Sequence, residues 1–396
     1  MIPQVFLNAK QAKHFDGRHP WVLERSVVSP TMELEPGQVV EFMHPNGSWI
    51  GRGIYNPNSR IRIRLYQWEQ TDTLDSDWLC RQLARAIELR EAKAAAHGNS
   101  DAVRLVNSEG DGLSGLIVDR FGQYLVIQLT SLAMFQWKTE IIDWFQSNFE
   151  FQGIQVSLDG KVAKQEGVEP VVEWVSGTAP TEKIGLTENG VQLQIDLESG
   201  QKTGYYLDQR ANRRVGAEWM QPGRLLDVCC YHGGFSLAGF QSGKLTEIVA
   251  VDSSERALEQ ARSNAAANNV EAIHFEKADC FSYLKRAEEE KATFDNVVLD
   301  PPRMAGSRQQ IQSALRAYHR LNLSAINLLR PGGTLITCSC SGRVYREDFW
   351  GVLASAAKRT RRRVQVVESR GADFDHPVDV NCPETDYLKC FICRVY

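Results

Sequence analysis

The chain has 396 residues, a net charge of −4, and 24% charged against 43% hydrophobic residues. That length accommodates two or three ordinary domains, and the composition is that of a soluble globular protein. No apolar run approaches the ~18 residues of a membrane span, so no membrane partner is expected. The start, MIPQVFLNAKQAK, lacks the basic, apolar and small-residue succession of a secretory leader, so a cytoplasmic location is expected. The mild acidity rules out an overall basic nucleic-acid binder, and any such role must rest on local patches.

Residues 1–72 read as short strands broken by turns: PGQVVEFM, PNGSWIGRGIY and SRIRIRLY. Pro45-Asn46-Gly47 marks a turn between two strand-like runs, and a small all-β, barrel-like unit is expected. Alternation along RIRIRLY puts Arg60, Arg62 and Arg64 on one strand face. That face is either simply solvated or a phosphate-contacting stripe.

Residues 73–185 change to a mixed pattern. SDWLCRQLARAIELREAKAAA reads as a helix, GLIVDRFGQYLVIQLT as a strand pair turning at Gly122, MFQWKTEIIDWFQSNF as a second helix and GIQVSL as a strand. This is a compact α+β module. Asp111 and Asp119 lie close in sequence there, but turn roles explain them as well.

From 186 to 396 strands and helices alternate, which predicts an α/β domain with a mostly parallel sheet. RLLDVCCYHGGFSLAGF joins an apolar strand, through Gly233 and Gly234, to a helix. It is not the G-x-G-x-x-G of a dinucleotide site, and Asp227 on the strand would repel a pyrophosphate while suiting an ammonium or sulfonium group. IVAVD ends in Asp252, placed to accept hydrogen bonds from two ribose hydroxyls. AIHFEKAD ends in Asp279, able to accept from an exocyclic amine. FDNVVLDPP ends in Asp300, Pro301 and Pro302, and GGTLITCSCSG ends in Cys338 and Cys340. Polar groups at successive strand carboxyl ends predict an adenosine-bearing ligand, S-adenosylmethionine in preference to a nicotinamide dinucleotide.

The nine cysteines (Cys80, Cys229, Cys230, Cys280, Cys338, Cys340, Cys382, Cys390 and Cys393) are odd in number and are expected to be reduced. Cys382, Cys390 and Cys393 with His376 can be forced into a zinc set, but structural zinc sites show two clear ligand pairs, and no metal is expected. ITCSCSG taken alone leaves a redox pair, metal ligands, core filler or a nucleophile open. LysArgThrArgArgArg, residues 358–363, is either a helix end in solvent or a phosphate contact.

GQKTGYYLDQR (Gly200 to Arg210), YHGGFS, DPPR, CSCSG, GRHPWV, DHPV and YLKCFICRV together resemble the bacterial 23S rRNA cytosine-C5 methyltransferases of the type called methyltransferase I, over nearly the whole chain. The resemblance implies a PUA-like RNA-binding domain over 1–72, a small α+β middle domain over 73–185 and a Rossmann-like S-adenosylmethionine-dependent transferase domain over 186–396. It implies a cofactor site of Tyr206, Asp208, Arg210, Asp227, Tyr231, Gly233, Gly234, Asp252, Asp279 and Pro301. It makes Cys340 the nucleophile toward cytosine C6, with Asp300 hydrogen-bonding the base at N3 and the exocyclic amine, and Cys338 a packing neighbour.

Several RNA cytosine methyltransferases carry a second cysteine after the fourth-strand proline. Here that place is Pro302 followed by Arg303, where the family often has lysine, and the family's arginine-bearing middle segment reads SLDGKVAKQEG. Tyr205, Tyr206 and Tyr231 are candidate stacking groups. The implied partner is 23S rRNA or a large-subunit assembly intermediate, and a homodimer is compatible with the sequence. The alternatives are a methyltransferase of another RNA base and a non-catalytic RNA-binding assembly factor, the latter disfavoured by the intact DPP and Cys340.

Overall fold

A computed structural model describes residues 2–10, 17–28, 32–94, 100–197 and 204–396. The chain forms two compact units. One comprises Met1–Ile184, Leu197–Tyr205 and Phe374–Thr385, the other Gly185–Asp196, Tyr206–Asp373 and Asp386–Tyr396. No helix among the described residues is long and apolar enough to cross a membrane.

The first unit begins with β1 (Gln4–Phe6), β2 (Trp21–Leu23), β3 (Val39–Met43), β4 (Trp49–Tyr55) and β5 (Ile61–Gln67), in the order β1-β3-β4-β5-β2. The two edge strands are tied together just beyond their ends. Leu7 bridges Val27, and Asn8 N–H donates to Ser26 O at 2.8 Å, so the sheet closes into a barrel around Val5, Val22, Val40, Phe42, Ile63 and Leu65.

The arginine stripe of β5 divides. Arg60 is exposed, Arg62 is spent on Asn56 O, Pro57 O and Glu24, and Arg64 is buried, donating to Ser114 Oγ at 2.8 Å and pairing with Glu109. A three-residue phosphate stripe is therefore reduced to Arg60. The face that alternation assigned to arginine is covered by the turn around residues 108–114.

The mixed module contains α1 (Ser76–Ala94), β6 (Ala102–Asn107), β7 (Leu116–Phe121), β8 (Tyr124–Leu129), α2 (Leu132–Gln136), α3 (Lys138–Asn148), β9 (Gly153–Leu158), α4 (Gly160–Glu166) and β10 (Val171–Gly177). Its sheet runs β10-β9-β8-β7-β6. Gly122 takes φ 58° at the β7–β8 turn, as the sequence predicts. The second helix is broken at Trp137, between α2 and α3. The two aspartates of this module are ion-paired: Arg104 holds Asp119 with two bonds of 2.8 Å, and Arg90 holds Asp111 with bonds of 2.6 and 2.7 Å.

The second unit opens with the hairpin β11 (Ile184–Glu188) and β12 (Val191–Ile195). It continues through α5 (Arg210–Trp219), β13 (Gly223–Val228), α6 (Gly234–Gln241), β14 (Leu245–Asp252), α7 (Glu255–Ala267), β15 (Ile273–Lys277), α8 (Cys280–Glu289), β16 (Phe294–Leu299), α9 (Ile311–Leu328), β17 (Leu329–Ser339), α10 (Arg346–Thr360), β18 (Val364–Arg370) and β19 (Lys389–Val395). The seven-stranded sheet runs β15-β14-β13-β16-β17-β19-β18. It is parallel from β15 to β17, and β19 lies antiparallel between β17 and β18.

The strand order reverses at β13, which pairs with β14 on one side and β16 on the other. Such a switch opens a crevice at the strand carboxyl ends. Below it the sheet is sealed on one face by α8, α9 and α10 around Leu226, Val297, Tyr318, Ile326, Leu335 and Phe349. The other face packs against α5 and α6 through Val215, Leu225, Phe235, Ile336 and Cys338.

Candidate active site

The loop after β13 sets the crevice. Cys229 (φ 63°), Tyr231 (φ 49°) and Gly233 (φ 77°) all take left-handed backbone, so the chain folds back on itself within five residues. Two of the three are not glycine, and such strain persists only where surrounding bonds enforce it. Here Cys230 N–H donates to Val251 O at 3.0 Å, Gly233 N–H to Cys230 O at 2.8 Å, and Tyr231 N–H to Asp252 Oδ2 at 3.0 Å. The other Asp252 oxygen accepts from Ser254 N–H at 2.9 Å. Gly233 and Gly234 lead into α6, and a Cβ built on Gly233 would meet Ala261 at 3.5 Å.

Asp227 lies at the floor, 1% exposed, and its Oδ2 accepts from Ser236 N–H (3.1 Å) and Ser236 Oγ (2.7 Å). Its Oδ1 is buried with no hydrogen-bond partner among the described residues. Burial pushes this carboxyl up to about 6, against the lowering effect of the Ser236 bonds. An orphaned, buried carboxylate oxygen is costly unless a donor arrives. The group it suits is cationic and carries N–H donors, as the ammonium of S-adenosylmethionine does, so the residues present fit that ligand. Asp279 accepts from Ser282 N–H (3.0 Å) and Ser282 Oγ (3.1 Å) through Oδ1, capping α8.

Asp300 follows β16, and its carboxyl is pushed up to about 7 by burial and by the neighbouring charges of Asp208 and Asp227. A directional relay reaches it. Arg370 Nε donates to Asn212 Oδ1 (2.9 Å), Asn212 Nδ2 to Gln209 Oε1 (2.7 Å), and Gln209 Nε2 to Asp300 Oδ1 (3.0 Å). A guanidinium can only donate, so each amide in the chain has its orientation fixed by the one before. Asn212 and Gln209 are 1% and 3% exposed, leaving little solvent to compete with those bonds.

The motif residues around the relay are also engaged. Asp208 accepts from Tyr387 Oη at 2.6 Å, and Arg210 Nε donates to Asp373 Oδ2 at 2.7 Å. The Tyr206 ring meets Tyr231 edge-on at 5.0 Å, and Tyr231 stacks on His232 at 3.6 Å. The Tyr206 phenol is pushed up by burial and by Tyr231, Cys340, Asp208 and Asp300, so the β13, β16 and β17 ends converge on one phenol. Gly200 to Thr203 of the same motif lie outside the described residues.

The two cysteines of ITCSCSG separate sharply. Cys338 is fully buried within β17, and burial with the adjoining Cys390 thiol pushes it well above the ordinary thiol range. Cys340 lies just past the strand end, half-buried, with Sγ 3.8 Å from Pro301 O of the Asp-Pro-Pro turn. Ser341 then locks the two loops together. Its Oγ accepts from Met304 N–H (3.0 Å) and Ala305 N–H (3.2 Å), which leaves its proton for Tyr318 Oη at 3.0 Å.

Sequence reasoning passed over Gln209, Asn212, Ser236, Ser341 and Lys389. Gln209, Ser236, Ser341 and Lys389 lie inside the motifs named above, and the polar, buried character of Asn212 had no signal in the sequence. The zinc set does not assemble, because Cys390 and Cys393 are three apart on one strand and enter the cores on opposite sheet faces. His19, Cys382 and Glu384 do bring ligand atoms within 4.8 Å of one another. However, His19 Nδ1 accepts the Trp21 N–H, which puts the neutral ring's proton on Nε2 facing Glu384 at 3.2 Å, a donor where a metal needs a lone pair.

A sequence profile of S-adenosylmethionine-dependent methyltransferases matches residues 152–380, and a PUA-like domain profile matches residues 5–68. The protein named ribosomal RNA large subunit methyltransferase I of Erwinia tasmaniensis is 37% identical over 397 residues, spanning 100% of both chains. Its namesake from Photobacterium profundum is 36% identical over 402 residues, again spanning 100% of both. The chain belongs to the ribosomal RNA large subunit methyltransferase I family.

The fold of this methyltransferase is shared with a SAM-dependent methyltransferase from Streptococcus mutans, 21% identical with a TM-score of 0.83 over 100% of both chains. A second solved methyltransferase, complexed with SAH, is 20% identical with a TM-score of 0.84 over 100% of both. The PUA-like domain, the Rossmann-like fold and the dependence on S-adenosylmethionine expected from the sequence are thus established by family and fold.

Proposed function

We propose that this methyltransferase forms 5-methylcytosine in 23S rRNA, free or within a large-subunit assembly intermediate, through attack of Cys340 on C6 of the base. The observation that carries the reading is the seating of Cys340 Sγ against Pro301 O, beside a half-buried Asp300 whose carboxyl is oriented by Gln209. Bound S-adenosylmethionine supplies a methyl group activated by its sulfonium. Asp227, Asp252, Asp279 and the Tyr206–Tyr231 pair, with Gly233, Gly234, Asp208, Arg210 and Pro301 shaping the walls, hold that ligand at the strand ends.

Asp300, close to half-protonated near neutrality, donates to N3 of cytosine and accepts from its exocyclic amine, draining charge from the ring. Addition of the Cys340 thiolate forms a C6–S bond and moves an electron pair to C5, which takes the methyl group. Loss of the C5 proton to solvent re-forms the double bond as the C6–S bond breaks and the thiolate departs. Residues 1–72 serve RNA binding, 73–185 form the middle domain and 186–396 the transferase domain of a cytoplasmic enzyme.

With RNA carrying 5-fluorocytosine, the C5 substituent cannot leave, so a covalent adduct accumulates on Cys340. Cys340→Ala forms no adduct and loses more than about 10³-fold in turnover while retaining S-adenosylmethionine binding. Full turnover by Cys340→Ala would remove the covalent reading.

A further inference from the structure

Lys389 is one of the largest fully buried side chains of the chain, 1% exposed, at the first position of β19. Its Nζ donates to Ser341 O and to Tyr387 O, each at 2.8 Å. It forms no ion pair with a carboxylate among the described residues. Burying an ammonium without a carboxylate is costly, and a methionine of similar volume would avoid that cost. The lysine therefore needs a reason beyond packing.

Its position supplies one. Ser341 directly follows Cys340, and its hydroxyl already holds the loop after Asp-Pro-Pro through Met304 and Ala305. The Lys389 bond to Ser341 O fixes the remaining side of the same turn. Tyr387, the other acceptor, sends its hydroxyl to Asp208 in the crevice.

The charge matters as well as the bonds. Asp300, Asp227, Asp252 and Asp208 surround the strand ends with carboxylates, and each disfavours a thiolate nearby. The buried cations on that side are otherwise spent, Arg210 on Asp373 and Arg213 on Glu188. The titratable groups that act on Lys389 include Asp386, Cys340, Arg346 and Asp348, and Asp386 is shared with Arg346 at 3.6 Å.

We propose that Lys389 is the positioning residue of Cys340: a buried ammonium that pins the turn carrying the nucleophile and stabilises its thiolate. The proposal rests on the reading of Cys340 as the attacking group. When the Cys340 thiol gives its proton to solvent, the thiolate left behind is stabilised by the positive charge of Lys389. Burial lowers Lys389 to about 8, so the ammonium is present at neutral pH and fades above that value.

The test is the rate of Cys340 alkylation by iodoacetamide across pH in the full chain, read by fragmentation of the peptide that holds Cys338 and Cys340. The assay needs no RNA, so it is independent of which base is methylated and of whether an adduct forms. In Lys389→Met the alkylation midpoint moves up by about one unit, and labelling near neutrality slows about ten-fold. Lys389→Arg restores most of the rate. The wild-type advantage narrows above about pH 8. S-adenosylmethionine affinity by calorimetry confirms that the variant is folded. Should Lys389→Met lose that affinity, Lys389→Gln, which keeps donors but no charge, is measured in its place with the same expected shift. An unchanged midpoint in the folded, uncharged variant overturns the proposal. Loss of the 5-fluorocytosine adduct reading with a retained shift would leave Lys389 as the thiol's partner and remove only the cytosine chemistry.

Discussion

The core of the first unit and the strand ends of the second treat carboxylates in opposite ways. In the first, every prominent buried arginine meets a carboxylate: Arg104 with Asp119, Arg90 with Asp111, Arg52 with Glu41 and Arg64 with Glu109. At the strand ends of the second, Asp227 meets serine and Asp300 meets glutamine, and neither forms an ion pair among the described residues. Burial consequently drives Asp227 to about 6 and Asp300 to about 7. Paired charge fixes a fold, whereas carboxylates kept close to neutrality wait for a partner that the chain does not supply.

The comparison can be broken most severely in the first unit. Asp119→Ala leaves Arg104 charged and buried, and urea unfolding should show a loss of about 3–5 kcal/mol. A loss below about 1 kcal/mol would mean that the pair is solvated. Asp300→Asn should do the reverse and stabilise the chain by roughly 1–3 kcal/mol at neutral pH, with methyl transfer lost. The folded carboxyl is raised above its unfolded value of about 4, so the folded state holds the extra proton between about 4 and 7. Stability from this group therefore falls as pH rises through that window, and the gain in Asp300→Asn vanishes at its acid end.

A smaller effect is expected at Asp227. S-adenosylmethionine affinity should fall up to about ten-fold per unit as pH drops below about 6, and Asp227→Asn should flatten the profile. A wild-type affinity independent of pH would contradict the ammonium assignment. The smallest effect belongs to Arg60, the one stripe arginine left exposed. Arg60→Ala should lower the salt slope of RNA binding by about 1. No change would place phosphate contacts elsewhere on the first unit.

How far the sequence could be read follows from the kind of information each feature needs. The strand ends of the second unit were legible because an apolar run followed by Asp is a local pattern, and Asp227, Asp252 and Asp300 fall where that pattern placed them. The β18–β19 edge was less legible, since an antiparallel return has no signature in strand–helix alternation. Arg64 looked like Arg60 in RIRIRLY because a single strand does not reveal which face another loop covers. Helix α4 hides in SLDGKVAKQEG, where its marks are Asp159 as N-cap and Gly167 as a left-handed C-cap. Asn212 is a polar residue on a helix start, indistinguishable in sequence from a solvated face, and Gln209 was marked only by its place in a motif. What makes them matter is Arg370, some 160 positions away.

The one-way relay from Arg370 to Asp300 has a spectroscopic consequence. Its two carboxamide groups are shielded from water and each has a fixed acceptor, so their protons should exchange slowly and give resolved signals. The final donor bonds directly to the Asp300 carboxyl. The Gln209 side-chain amide shift should therefore titrate with Asp300, letting an observer follow the charge of that carboxyl, and any ligand that changes it, without attaching any label to the protein.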